Sequence, residues 1–368
     1  MIESLYIKNF KSIKNINLSL SGLNLFFGMN GMGKSSTIQS LLLCRQSFWR
    51  NGKLNLDKLY PSGELADLGS TGDVFNKHAE DNKLELIIEE DGRETVLSYV
   101  YRSNTDDYGI AFVKEDRNSV IDYSGSLFSE SFVYLAAEHL GPQKRYDYSR
   151  WDLSGINKYG SHGEFTVPFL ATNGAQIHVP PKMRNSKALS DNLIDQVSAW
   201  MVNISPGIRI NTEMDPKEQE AKLRISYNEG KIVSDDYLPQ NVGFGIPYSL
   251  PVVVALLAAK KGDLIILENP ESHLHPKGQS ALAKLMACAA SEGIQIICES
   301  HSDHIINGIR VSVKEELLNN DKVAVYYYSK DSLQETQCTR IRVDKSGNLD
   351  NYPTGLLDEW GELMARLL

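Results

Sequence analysis

Gly28-Met29-Asn30-Gly31-Met32-Gly33-Lys34-Ser35 satisfies the pattern G-x-x-x-x-G-K-[ST] at every fixed position. Its flanks suit the pattern: Leu23-Asn24-Leu25-Phe26-Phe27 reads as a short buried strand, and Ser36-Thr37-Ile38-Gln39-Ser40-Leu41-Leu42-Leu43 as a helix. Glycines let backbone N–H groups curl around an anion, and the helix N-terminus adds positive potential at the same place. The stretch therefore implies a triphosphate site. Asn30, Gly31, Met32 and Gly33 form the cradle, with Lys34 reaching the outer phosphates and Ser35 offering its hydroxyl to Mg²⁺. Ser36 reads as satisfying a backbone group in the first helical turn.

Working outward, residues 2–27 alternate apolar and polar positions and predict two or three strands before the loop. Leu84 to Arg102 predicts a β-hairpin turning at Asp91-Gly92, and Ser131–Leu135 a further strand. Helices are expected at Leu189–Met201, Pro251–Ala259 and Ser280–Ala290. Leu264–Leu267, Gln295–Cys298 and Val323–Tyr328 have the apolar run of buried parallel strands. That alternation predicts an α/β core carrying an added antiparallel β-subdomain and a helical lobe. The expected division is an N-terminal lobe at 1–138, loops and a helical lobe at 139–235, and a C-terminal lobe at 236–368.

The strand at Leu264–Leu267 runs into Glu268-Asn269-Pro270-Glu271. A carboxylate at the end of a buried parallel strand is costly unless a cation balances it, so Glu268 is the second expected Mg²⁺ residue. The next strand ends in Glu299-Ser300-His301-Ser302, which places His301 at the neighbouring edge. Upstream, Gly243 and Gly245 precede a helix and form a second candidate anion nest. One nucleotide seldom needs two nests from one chain, so the second is expected to serve a symmetry mate in a homodimer closed around ATP.

Composition narrows the classes. The chain has 368 residues, with 42% hydrophobic and 23% charged residues and a net charge of −9. That balance argues against nucleic acid binding over the whole surface. No apolar run approaches a membrane span, and Met1-Ile2-Glu3-Ser4 lacks a signal-peptide layout, so a cytoplasmic protein is expected. Cys44, Cys288, Cys298 and Cys338 lack metal-binding spacing and read as reduced core residues. Between His139 and Lys187 the balance reverses, with seven basic against three acidic residues interleaved with Tyr146, Tyr148, Trp151, Tyr159, Phe165 and Phe169. Residues 144–187 are thus a candidate contact for DNA, RNA or an acidic protein.

Taken together, Leu5-Tyr6-Ile7-Lys8-Asn9-Phe10-Lys11-Ser12, the glycine loop, Glu268 to Pro276 and Glu299 to Ser302 resemble the SMC/RecF-type branch of ABC ATPases. The ATPase heads of the OLD family and their prokaryotic relatives, many associated with phage defence, are the most similar. The ending Ile341 to Leu349, followed by Tyr352 to Glu359, is similar to the C-terminal segment of one such subgroup. The resemblance implies an ABC-type head with a mixed sheet, ATP and Mg²⁺ as ligands, and an effector protein in trans. It makes Gly243 to Gly245 the signature element, His273-Leu274-His275-Pro276 the D-loop region and His301 the switch histidine. Asn269 stands where the family carries a glutamate base, so Glu271 or a partner group takes that role, or hydrolysis is slow. The signature lacks its serine, and His139 stands where relatives often carry arginine. No Toprim nuclease segment or long arm is recognisable.

Two rival readings remain at this stage. His273, His275, His301 and His304 have spacings that zinc ligands also use. A self-sufficient metal-dependent nuclease would build on them, unless they simply line the nucleotide interface; a DNA-repair ATPase acting directly on nucleic acid is the other alternative. A glycosidase-like pairing of Glu268 and Glu271 explains less than the phosphate loop does.

Overall fold

The computed structural model describes residues 1–50, 58–101, 112–114, 125–147, 157–229 and 232–367. The chain opens with β1 (Ile2–Phe10), β2 (Ile13–Ser19), β3 (Leu23–Phe27), α1 (Lys34–Arg50) and α2 (Thr71–Val74). Then come β4 (Lys83–Glu90), β5 (Arg93–Tyr101), β6 (Phe112–Lys114), β7 (Phe132–Leu135), β8 (Tyr146–Asp147), α3 (Thr166–Asn173) and α4 (Leu193–Ile204). They are followed by β9 (Ile208–Asp215), β10 (Glu220–Glu229), β11 (Ile232–Val233), α5 (Gly245–Leu257), β12 (Leu264–Glu268) and α6 (Pro276–Ser291). Last are β13 (Gln295–Glu299), α7 (Asp303–Lys314), β14 (Val323–Lys330), β15 (Thr336–Ile341) and α8 (Glu359–Leu367). They form two compact units: Met1–Phe132 with Val323–Val343 and Leu349–Leu368, and Val133–Lys322 with Asp344–Asn348.

The first unit holds an antiparallel sheet in the order β2-β1-β4-β5-β6. Leu84, Leu86 and Ile88 on β4 and Leu97 and Tyr99 on β5 are buried, so the period-two pattern of the sequence is the core face of this sheet. The β4–β5 hairpin turns at Asp91 and Gly92, both with positive φ (51° and 72°), in the manner of the tight turns that match strand twist. Around β3 the pairing is mixed: β14 runs parallel to it and β15 antiparallel to β14. All five residues of β3 are buried, including Asn24, whose side-chain amide accepts the Ser21 N–H and donates to the Ser21 carbonyl (both 2.8 Å).

In the second unit β12 and β13 pair in parallel, Leu264 against Gln295 through Glu268 against Glu299, and β7 lies beside β12. A separate antiparallel group joins β9 and β10 with β8 and β11. Three helix starts differ from the sequence reading. α4 begins at Leu193, because the Asn192 side chain caps it by accepting the Asp195 N–H (3.1 Å), while Leu189 is exposed. α5 begins at Gly245 and runs through Pro251, since the buried run Val252–Leu257 outweighs the propensity cost of a proline. α6 begins at Pro276, capped by the His275 ring (3.3 Å to the Lys277 N–H). Cys44, Cys288 and Cys298 are buried, but Cys338 is only half-buried, not a core residue as expected; all four are free thiols.

Candidate nucleotide site

In the first unit, β3 runs straight into the glycine loop and α1 starts at Lys34. Gly28, Gly31 and Gly33 have φ of 134°, 77° and 107°, a region L side chains rarely occupy, so the three glycines are required by the backbone itself. Around Gly31 a Cβ would meet nothing within 4 Å, and Met29, Asn30 and Gly31 are exposed, leaving the crown of the loop open. Lys34 is buried and arches back, its Nζ donating to the carbonyls of Gly28 (2.8 Å) and Met29 (2.9 Å). Ser35 and Ser36 stand half-buried on the first helical turn, beside Met32 and Gly33. Thr37, not singled out in the sequence, closes the turn: both its N–H (3.1 Å) and its hydroxyl (3.3 Å) donate to the Gly33 carbonyl. An open crown, left-handed glycines, a buried ammonium and a helix N-terminus fit a polyphosphate.

In the second unit the two strand ends bring Glu268, Asn269, Glu271 and His301 together. Glu268 faces Glu299 in register and receives hydrogen bonds from the Tyr134 hydroxyl on β7 and the Ala137 N–H. Burial, and then the charge of Glu299, push its carboxyl up to about 7. Asn269 takes a left-handed φ of 46° and donates its N–H to the Glu299 carbonyl (2.9 Å), while its buried side-chain oxygen has no hydrogen-bond partner. Glu271 is buried, and one of its oxygens ties the loops together by accepting the Ser300 hydroxyl (2.7 Å) and the His301 N–H (3.0 Å). Burial raises its carboxyl as well. The His301 ring lies 4.0 Å from Glu299.

Glu299 and Tyr134 were missed by sequence reasoning. Glu299 had a signal, an acid closing the second apolar run as Glu268 closes the first; Tyr134 had none. Two desolvated carboxylates fit a magnesium-like cation, which takes one or two carboxylates and completes its shell with water and phosphate.

Gly243 stands open, whereas Gly245 opens α5 so close to the Asn269–His275 turn that a Cβ would come within 2.6 Å of the His273 carbonyl. Phe244 between them is 60% exposed. The imidazoles of the zinc reading have separate positions. His273 packs edge-on against Tyr248 at 4.6 Å, His275 caps α6, and His304 lies exposed in the first turn of α7. Among the described residues no group of three or more His, Cys, Asp or Glu side chains is arranged to hold a metal. His139 is buried, with Nδ1 at 2.6 Å from the Tyr248 carbonyl; the carbonyl can only accept, so Nδ1 carries the proton.

Among residues 144–187, the basic side chains of Lys144, Lys182 and Lys187 are exposed as the nucleic-acid reading requires, whereas four of its aromatic side chains are not. Tyr146, Tyr159 and Phe169 are core residues, and Phe165 is half-buried, so they offer no stacking platform. Arg145 pairs with Glu220 (3.2 Å) and Arg184 with Asp191 (2.9 Å), while burial lowers the Lys158 ammonium, which lies over the Tyr159 and Phe169 rings. Tyr148, Arg150, Trp151 and Asp152 lie outside the described residues.

Three family models and a set of solved structures match the chain. A family model described as "AAA ATPase domain" matches residues 1–198. Residues 207–307 match one described as "AAA domain, putative AbiEii toxin, Type IV TA system", and residues 318–367 match "Protein of unknown function (DUF3696)". No curated protein sequence matches the chain. Among solved structures, an Smc head bound to the C-winged helix domain of ScpA is 16% identical, with a TM-score of 0.54 over 94% of this chain and 98% of that one. An Smc head with an extended coiled coil, bound to the C-terminal domain of ScpA derived from Pyrococcus furiosus, is 15% identical, with a TM-score of 0.50 over 100% and 99%. At such identities the likeness is one of fold: an α/β head with a mixed sheet and added antiparallel strands. With a model spanning residues 1–198 of 368, the chain belongs to the AAA ATPase domain family.

Proposed function

We propose that this chain binds ATP with Mg²⁺ at Gly28 to Ser36, hydrolyses it slowly, and uses the bound nucleotide to join two copies that control a separate effector. The observation that carries the reading is the loop itself, three left-handed glycines leading into a helix whose first residue is the buried Lys34. In this reading Lys34 leaves the Gly28 and Met29 carbonyls for the outer phosphates. Asn30, Gly31, Met32 and Gly33 donate backbone N–H groups, and Ser36 stands beside them on the first helical turn, which Thr37 closes. Ser35 in the first unit and Glu268 in the second are each residues that would hold Mg²⁺, which when bound would screen phosphate charge.

Slow turnover follows from the residues beside Glu268. Asn269 has no group that accepts a proton at neutral pH, and Glu271 spends one oxygen on Ser300 and His301. His301, at the neighbouring strand end, is then a sensor of the γ-phosphate. Gly243 and Gly245, at the start of α5, supply the second nest to the other copy's nucleotide. The Smc heads bound to ScpA domains support an effector in trans, and the toxin–antitoxin wording of the model matching 207–307 supports a prokaryotic defence setting in the cytoplasm.

Calorimetry of ATP binding tests the site. Loss of a charge-assisted bond to phosphate makes Lys34→Ala bind roughly 10- to 100-fold more weakly than wild type. Unchanged micromolar affinity in that variant overturns the loop assignment.

A further inference from the structure

The glycine loop is held from behind by strands more than 280 residues further along the chain. β14 pairs with β3 up to Tyr327 against Phe27, and at the next residue the Tyr328 carbonyl occupies the space that a Cβ on Gly28 would need. The Tyr328 side chain continues the contact: its buried hydroxyl donates to the Thr37 hydroxyl (3.1 Å), which in turn donates to the Gly33 carbonyl (3.3 Å). On the other side of Gly33 lies Thr336, the first residue of β15, buried and so close that a Cβ on Gly33 would collide with its side chain. Thr336 is itself fixed twice to the β1–β2 turn, by its N–H to the Ser12 carbonyl (3.0 Å) and by its hydroxyl to that of Ser12 (2.7 Å).

We propose that Tyr328 and Thr336 are positioning residues for the phosphate loop, which makes the C-terminal hairpin β14–β15 a working part of the nucleotide site. Gly33 is gripped from both faces, and the peptide it begins sets the direction of the N–H groups at Lys34 and Ser35. The hairpin lies within residues 318–367, the segment matched by a family model of unknown function, and this gives it a task. The inference rests on the nucleotide reading above. It goes beyond that reading in placing part of the affinity in residues that touch no phosphate.

The test uses the full chain with Tyr328→Phe, Thr336→Val and Thr336→Ser, measuring ATPγS affinity by calorimetry and melting temperature without nucleotide. Tyr328→Phe removes one hydroxyl, Thr336→Val keeps the shape and the backbone tie but loses the hydroxyl tie to Ser12, and Thr336→Ser keeps both ties. The first two are expected to bind about three- to tenfold more weakly at temperatures where they stay folded, the loss of one positioning hydrogen bond. Thr336→Ser is expected to stay near wild type. Should Thr336→Val fail to fold, Tyr328→Phe alone decides the matter. Wild-type affinity in Tyr328→Phe and Thr336→Val overturns the positioning role while leaving the nucleotide site intact. A wild-type chain that binds no ATPγS overturns the nucleotide reading itself.

Discussion

Glu268 carries the clearest electrostatic consequence of the fold. An unfolded glutamate titrates at about 4.5, whereas burial and then Glu299 push the folded carboxyl up to about 7. Between those values the folded chain keeps a proton that the unfolded chain has lost. Stability from this group therefore falls as pH rises through that window, and the penalty is complete above it. Glu268→Gln removes the penalty. Thermal unfolding without Mg²⁺ should show the variant gaining on wild type between about pH 4.5 and pH 7, with the two converging at the acid end; parallel curves would mean that Glu268 stays ionised in the fold. The site residues differ in how far the sequence revealed them. Gly28 to Ser35 are legible because their geometry is local, fixed by a glycine turn and a helix start within one short stretch. Tyr328 and Thr336 act on Gly28 and Gly33 from the far end of the chain, and nothing in their own neighbourhoods marks them. Within residues 144–187, composition does not reveal for a related reason that Tyr146, Tyr159 and Phe169 are core residues.

Among the elements, α8 is set apart by its surface. Trp360, Leu363, Met364 and Leu367 recur at helical spacing, yet they are 72%, 48%, 38% and 79% exposed. The turn before the helix is anchored instead: Leu356 is buried, the Tyr327 hydroxyl donates to the Thr354 carbonyl (2.7 Å), and the Gly355 N–H donates to Asp358 (2.7 Å). Because α8 gives so little apolar surface to the fold, deleting residues 359–368 is expected to change stability by less than about 0.5 kcal/mol, as for surface changes generally. Chemical denaturation checks this, and a loss of several kcal/mol would show that the stripe is covered in the assembled protein. The strands of clear period or apolar run were legible, whereas β9, β10 and β15 were not read from the sequence. The helix starts were not, because caps and tertiary burial override local propensity: Pro251 reads as a helix start and lies instead inside α5, where Val252 to Leu257 are buried.

At the scale of the molecule, the phosphate loop belongs to one compact unit, whereas Glu268, His301 and the glycines proposed as a second nest, Gly243 and Gly245, belong to the other. If Gly243 and Gly245 do form a second anion nest, as proposed, it would serve a different nucleotide, and C2 symmetry is the commonest way to provide the second copy. Mass then becomes the decisive readout. Light scattering should give 41.1 kDa without nucleotide and twice that with ATP and Mg²⁺. Lys34→Ala should stay at the lower mass in both conditions, because the loop then lacks the charge that draws the outer phosphates in. With Asn269 in place of a base, the larger species should also outlast the mixing time, since slow hydrolysis leaves the nucleotide intact. A wild-type chain that binds ATP in calorimetry and still scatters as a monomer would separate the two claims, keeping the phosphate loop and removing the shared site.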